Sequence, residues 1–409
     1  MFSLPRFAVS CGMESVAVDI NFSAEEAFSH VAVLAGRIGP RGTGTVAEVQ
    51  AADYIRDQLG ALGCPFEEQR FRAVADMNWF PASAAIFNLL GALIYPWSGL
   101  TRWVAAFFAG FAALLLWWAL TRADSPIRFV LPQVRSQNVI ARFAPQEEMR
   151  QRVVVLSHLD SNRCRLAWRA GKTKTIRFGS LATLGVYTLN AALYLIGATT
   201  GSSWPYFAGL LGVMYGIATL GILLAELQLP YSPGANDNAS AVAVNLGIAL
   251  KLAQEPLQST EVWLAFTGAE EVDHRGLKRL LKGHQELSGA YFLDLEGVGA
   301  GGLCYLTQEG LLKPYRPDST LLALAQRVAK RHPELAFKAA RMMVVDEVQT
   351  LRRLGYRAIC FAGRDAATDS LAYWHTSDDV VKNINGDALV RAAGFVWAML
   401  QELDRRREG

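Results

Sequence analysis

The sequence predicts an α/β protein, with a mostly parallel, mixed sheet sandwiched by helices and interrupted by two apolar helical hairpins. Three observations lead there. Short apolar, β-rich runs (QNVIARF, RVVVLSHLD, TEVWLAFTG, GAYFLDLEG and YRAICFAG) alternate with helical stretches such as ASAVAVNLGIALKLAQ and STLLALAQRVAKRH, the pattern of a sheet covered on both faces. Long stretches carry no charge at all. Acidic and imidazole side chains recur where the strand-like runs end, the edge at which such sheets gather their functional residues.

Composition narrows the classes further. Apolar residues make up 52% of the chain, charged residues 19%, and mean hydropathy is +0.18, more apolar than an ordinary soluble domain. With 40 basic and 37 acidic residues the net charge is only +3, so there is no basic field of the kind that binds nucleic acid. The five cysteines (Cys11, Cys64, Cys164, Cys304, Cys360) are widely spaced and form no C-x-x-C pair, which reads as reduced thiols on a cytosolic face. The N-terminal MFSLPRFAVSCGMESVAVDINF lacks a continuous apolar core, and no cleaved signal peptide is expected.

Taken in order, Ser23–Leu62 reads as two helices parted by the Gly-rich GPRGTGT. From Met77 to Thr101, 25 residues carry no charge, and from Trp103 to Thr121 another 19 do not, with Arg102 as the only break. A third uncharged run covers 48 residues, Phe178 to Ala225, with GATTGSSWP as its natural turn. At about 20 residues per span these runs make two transmembrane hairpins and four spans. Buried core helices are the alternative, yet hydrocarbon, which charges a central Lys or Asp roughly 2.5–3.5 kcal/mol, explains uncharged runs better. Trp79, Trp97, Trp103, Trp117, Trp118 and Trp204 stand near the run ends, as an interfacial belt requires. Arg70, Arg72, Arg122, Arg128, Arg135, Arg163, Arg165, Arg169, Lys172, Lys174 and Arg177 flank the hairpins, so both tips should point away from the cytoplasm. The expected divisions are 1–76, 122–162 and 229–409 for the α/β domain, 77–121 and 178–228 for the hairpins, and 163–177 for a basic juxtamembrane segment.

His158 and Asp160 close RVVVLSHLD, Asp237 lies in GANDNAS, Glu270 and Glu271 end VWLAFTGAEE, Asp294 and Glu296 end YFLDLEG, and His375 sits in YWHTSDD. Singly each has an ordinary explanation, such as a helix cap for Asp237. Together, two imidazoles and several carboxylates at the strand ends of one sheet form an oxygen and nitrogen ligand set suited to zinc.

The ordered motifs HLDS, GANDNAS, FTGAEE, LDLEGVGAGG and HTSDD resemble the co-catalytic di-zinc aminopeptidase family, which includes leucyl-type aminopeptidases, glutamate carboxypeptidase and the endoplasmic reticulum metallopeptidase. The resemblance covers nearly all of the chain outside the hairpins. It implies two zinc ions, with His158 on one, Asp237 bridging both, and Glu271 and His375 on the other. The remaining ligand falls on Glu296, with Asp294 as the fallback. Glu270 takes the place of the general base, which accepts a proton from a zinc-acidified water. Asp160 and Asp379 fall where supporting carboxylates hold the free ring nitrogens of His158 and His375.

Two departures stand out. Relatives place an oxyanion-stabilising Tyr before the last His, whereas this chain has Trp374 there and Tyr373 one residue earlier, facing the other way on extended backbone. The second hairpin also lies between Asp160 and Asp237, which brings the site near the bilayer. Asp346 is a candidate on the substrate side, and Arg364 a candidate member of a carboxylate clamp. His30, His274, His284 and His332 read as surface residues. The uncharged runs and their basic flanks predict an integral protein of a bacterial-type inner membrane with its catalytic domain cytoplasmic, and the resemblance implies that it removes N-terminal residues from small peptides. Its partners are then a peptide substrate and the lipid bilayer, with oligomer formation left open. A carboxypeptidase or dipeptidase, a glutaminyl cyclase-like enzyme and a silent membrane scaffold are the alternatives, and such ligands accept cobalt or manganese as well as zinc.

Overall fold

The structure, a computed structural model, describes residues 20–97, 99–166 and 173–406. The N-terminal segment with Cys11, and Arg169 and Lys172 of the basic segment, lie outside the described residues. The chain runs α1 (Ala24–Val31), α2 (Val46–Ala61), β1 (Phe66–Val74), α3 (Trp79–Ile94), α4 (Gly99–Thr121), β2 (Gln133–Phe143), β3 (Gln151–His158), α5 (Thr173–Thr200), α6 (Trp204–Ala208), α7 (Leu210–Glu226) and α8 (Ala241–Gln254). It continues through β4 (Thr260–Thr267), α9 (Arg275–Gly283), β5 (Tyr291–Glu296), β6 (Gly302–Gln308), α10 (Ser319–Arg331), β7 (Lys338–Arg341), α11 (Glu347–Arg353), β8 (Arg357–Asp365), β9 (Ser370–Leu371) and α12 (Gly386–Arg405).

The sheet order is β1-β2-β4-β3-β5-β8-β6-β7, with β9 against β8. The central β4, β3, β5 and β8 are parallel. Antiparallel pairs join β1 to β2, β2 to β4 and β6 to β8. Strands buried on both faces need no alternation of polarity, and here the period of two shows only in which core each residue feeds. Val153 and Val155 of β3, Leu264 and Phe266 of β4, and Leu293 and Leu295 of β5 enter the core shared with α1, α2, α8, α10 and α12. Val154, Leu156, Trp263, Ala265 and Phe292 enter the opposite core, with α9 and α11. Helices thus cover both faces, as the alternating pattern predicts.

The sequence reading passes over β1, because FEEQRFRAV carries four charges. Those charges suit its place on the sheet edge, where it pairs on one side only. At the start of the chain, Ser23 Oγ accepts the Glu26 N–H at 3.1 Å, and Glu26 Oε2 accepts the Ser23 N–H at 2.8 Å, a capping box that starts α1 where expected.

The hairpins correct the expectation of four full spans. Among the described residues, three stretches, Gly99–Thr121, Thr175–Thr200 and Trp204–Glu226, are long and apolar enough to cross a membrane. The first helix, α3, has 16 residues, about 24 Å, which falls short of a hydrocarbon core of roughly 30 Å. The uncharged run ends as helix at Ile94, before Pro96, and Arg102 lies in the first turn of α4 rather than in the connection. Arg102 bonds the Gly201 carbonyl and Ser203 Oγ, so the two tips lie side by side. The second hairpin starts earlier than expected, since α5 begins at Thr173 within the basic segment. Between hairpins, Asn190 Nδ2 donates to Asn88 Oδ1 at 3.0 Å and Asn88 Nδ2 to the Gly212 carbonyl at 2.9 Å.

None of the four histidines read as surface residues is fully exposed, His332 being half-buried. His274 and His284 are buried, and His30 is half-buried with Nδ1 2.7 Å from the Tyr54 hydroxyl. Burial lowers the His30 pKa to about 4, against the opposing charge of Glu26. The unfolded chain therefore binds a proton near pH 6.5 that the fold refuses until about pH 4. Stability is full above that window and falls with pH through it, by up to about 3 kcal/mol. The unfolding free energy of the His30→Gln variant, measured beside the parent from pH 7 to pH 4, should lack this part of the slope.

Candidate metal centre

The parallel strands carry their terminal residues to one edge. His158 is the last residue of β3 and Glu296 the last of β5, Glu270 and Glu271 follow β4, Asp237 precedes α8, and His375 follows β9. All six are buried. They fall into two sets that share one carboxylate. His158 Nε2 lies 3.1 Å from Asp237 Oδ1 and 3.6 Å from Glu296 Oε2. His375 Nε2 lies 3.3 Å from Asp237 Oδ2 and 3.2 Å from Glu271 Oε2. Tetrahedral zinc with bonds of about 2.0–2.1 Å has ligand–ligand edges of about 3.3–3.4 Å. Each set therefore has the donor chemistry and the edge lengths of a zinc site, and Asp237 turns one oxygen to each. The peptide bond from Asp237 to Asn238 is cis.

Glu270 borders the His158 set without closing it, its Oε2 being 3.9 Å from His158 Nε2. Burial pushes its carboxyl well above the usual range, with His158 opposing and Glu271, Glu296 and Glu347 reinforcing. Burial alone would lower His158, but Glu296, Asp160, Asp237 and Glu270 outweigh it and raise its pKa. His375 is likewise carried to about 9 by Glu271 and Asp237 against its burial. So much buried carboxylate beside two imidazoles calls for cations.

The supporting residues divide their work differently from the expectation. His158 Nδ1 lies 3.0 Å from the Asp160 main-chain carbonyl and 3.7 Å from its carboxylate. A proton held on Nδ1 by that carbonyl frees Nε2 for metal. The Asp160 carboxylate instead accepts the Glu270 N–H at 3.1 Å and Thr43 Oγ1 at 2.8 Å, which fixes the loop that carries Glu270. Asp379 was expected beside His375, yet its oxygens accept the N–H groups of Asn236 at 2.5 Å and Asp237 at 3.0 Å. It holds the bridging loop.

The remaining candidates stand apart from the two sets. Asp294 lies deeper in the sheet, in a buried group with Asp346 and Cys360, and its oxygens receive no hydrogen bond. Glu296, by contrast, lies in the His158 set, 3.6 Å from His158 Nε2. Asp346 caps α11 through the Val348 N–H at 3.0 Å. Tyr373 is 40% exposed while Trp374 is buried, and the two lie in a turn, with Tyr373 at φ 61°, rather than on the extended backbone that the sequence suggests. Arg364 bonds Asp369 at 2.7 Å and lines, with Tyr373, a cavity of about 1230 Å³. That cavity meets the metal pocket along Arg165, Leu371, Trp374 and His375.

Several supporting residues have no site role in the sequence reading. Arg41, within the Gly-rich break, is 1% exposed. It donates to the carbonyls of Leu34, Gly39, Leu159, Pro233 and Gly234 at 2.7–3.1 Å, tying the β3 loop to the Asp237 loop. Buried His274 places Nε2 3.4 Å from Glu270 Oε1. Arg122, at the end of the first hairpin, and Asn162 line the metal pocket. No periodicity or spacing marks any of these.

Sheet order, strand-end chemistry and the shared carboxylate define a fold of the co-catalytic zinc exopeptidase type. Residues 223–400, somewhat under half of the chain, match Peptidase family M28. Among solved structures, a zinc aminopeptidase from Bacillus subtilis is similar at 16% identity and a TM-score of 0.56, covering 95% of this chain and 98% of that one. A Zn-dependent exopeptidase from Parabacteroides distasonis and a glutaminyl cyclase from Bacteroides thetaiotaomicron each reach 15% identity and a TM-score of 0.54, covering 94% of this chain and 99% of theirs. No curated protein matches the chain.

Proposed function

We propose that the chain is a membrane-bound, zinc-dependent aminopeptidase that cleaves N-terminal residues from small peptides, with two zinc ions and Glu270 as general base. The shared carboxylate carries this reading. Asp237 offers Oδ1 to the His158 set and Oδ2 to the His375 set, an arrangement suited to two adjacent cations and wasteful for one. His158, Asp237 and Glu296 would hold the first, and Asp237, Glu271 and His375 the second. Zinc supplies Lewis acidity there, lowering the pKa of water and polarising a carbonyl. Glu270 Oε2, bordering the His158 set, would take the water's proton and return it to the leaving amine. The Asp160 bond to the Glu270 N–H fixes the loop that carries it, and His274 Nε2 lies 3.4 Å from Glu270 Oε1.

The three long apolar helices support integration into a bilayer, and the flanking Arg and Lys residues support a cytoplasmic catalytic domain. A second reading, a dipeptidase or carboxypeptidase, draws on Arg122 in the metal pocket and Arg364 in the adjoining cavity, since a guanidinium suits a substrate carboxylate. Metal analysis of the detergent-purified chain, run with aminoacyl-anilide and dipeptide substrates, tests both. Two zinc ions with anilide hydrolysis is the expected result. Cleavage of dipeptides alone moves the second reading forward, and a folded chain without metal overturns the enzyme reading in favour of a membrane scaffold.

A further inference from the structure

Asn162 has no part in the chemistry described so far, yet it touches the second ligand set directly. Its Nδ2 donates to Glu271 Oε2 at 2.6 Å and lies 3.3 Å from His375 Nε2. The other edge of the amide is fully engaged. Oδ1 accepts the Arg163 N–H at 2.8 Å, Arg165 Nε at 3.0 Å and Arg165 Nη2 at 2.7 Å. Three donors on Oδ1 leave only the NH₂ edge to face the Glu271 carboxylate, so the amide cannot turn over.

Arg165 is held in turn by the ends of both hairpins. Asp76, three residues ahead of α3, accepts Arg165 Nη2 at 3.1 Å and Arg163 Nε at 2.8 Å. Glu226, the last residue of α7, lies 3.7 Å from Arg165 Nη1, and accepts the Leu166 N–H and Asn78 Nδ2, each at 3.1 Å. The Arg165 N–H donates to the His375 carbonyl at 3.0 Å. Asp76, Asn162, Arg165 and Glu226 are all buried. Buried charges of this kind keep a fixed geometry, because moving one partner strands the others without water.

We propose that Asn162 is a positioning residue for the Glu271 and His375 metal set, and that Asp76, Arg165 and Glu226 make the hairpin ends part of that set's support. The inference rests on the two-zinc reading. A carboxylate ligand held in one orientation by an outer amide binds metal more tightly, and loss of such a partner typically weakens binding about 10–100-fold. The His158 set, supported from Asp160 and Thr43 instead, should not share the loss.

The test is calorimetric titration of the metal-free full chain in detergent micelles with zinc chloride, repeated with cobalt(II) to follow the visible absorption of each bound ion. The parent, Asn162→Ala and Asp76→Asn are compared, with the melting temperature of each metal-free chain. In Asn162→Ala one site should keep the parent affinity and cobalt spectrum while the other weakens about 10–100-fold, in a chain whose metal-free melting transition shows that it still folds. Asp76→Asn, which leaves Asn162 in place, should weaken the same site by a smaller factor. Two sites of parent affinity in Asn162→Ala, or equal weakening of both, overturn the inference alone. Should the alanine variant fail to fold, Asp76→Asn decides, and parent affinity at both of its sites overturns the inference. A parent that binds one ion or none overturns the two-zinc reading and the inference with it.

Discussion

Replacing Asp237 with alanine should empty both metal sites at once and bring hydrolysis to background. On the proposed reading each set has three protein ligands, and Asp237, which turns a different oxygen to each set, supplies one to both. No neighbouring group can stand in: Asp379 is committed to the backbone of the same loop, and Asp294 faces Asp346 and Cys360 instead. Metal polarisation of a carbonyl is worth several kcal/mol, so its loss lowers the rate by about 10³–10⁵ at roughly 1.4 kcal/mol per decade. Metal analysis alongside aminoacyl-anilide hydrolysis checks it. A variant that keeps one tightly bound zinc shows that Asp237 is not shared, and the bridging reading fails.

Glu270→Ala should behave differently, keeping both metals and losing rate. The carboxylate lies 3.9 Å from His158 Nε2, beyond the 3.1–3.6 Å that joins the ligand pairs. Removing a positioned general base costs about 10²–10⁴ in kcat, and since Glu270 takes no part in holding the ground-state substrate, KM should change little. Steady-state kinetics on metal-replete protein measures both. Parallel loss of metal and rate would place Glu270 among the ligands.

How much of this was legible in the sequence depends on how each residue does its work. His158, Asp237, Glu271, Glu296 and His375 announce themselves because parallel strands end at one edge and ligand types recur there in order. Their assignment to two sets came from the resemblance, and the distances agree with it. Arg41 could not be read, since one arginine in a Gly-rich break looks the same whether it is solvated or bonded to five carbonyls. Asn162 acts through contacts that depend on both hairpins at once. The length of α3 was overestimated because absence of charge marks an apolar run but not where its helix stops, and His274 looked peripheral because burial of a lone histidine is decided by distant elements.

The placement of the second hairpin has a consequence for the order in which the chain is made. It separates His158 from Asp237 in sequence, and β3 must find β4 across it, with Gln151 meeting Thr260 at a separation of 109 residues. Pairings of such range form late. During synthesis both hairpins leave the ribosome before Asp237 does, so a metal picked up early would meet only His158 of the five proposed ligands. The sheet, and with it the centre, can close only around hairpins that are already in place.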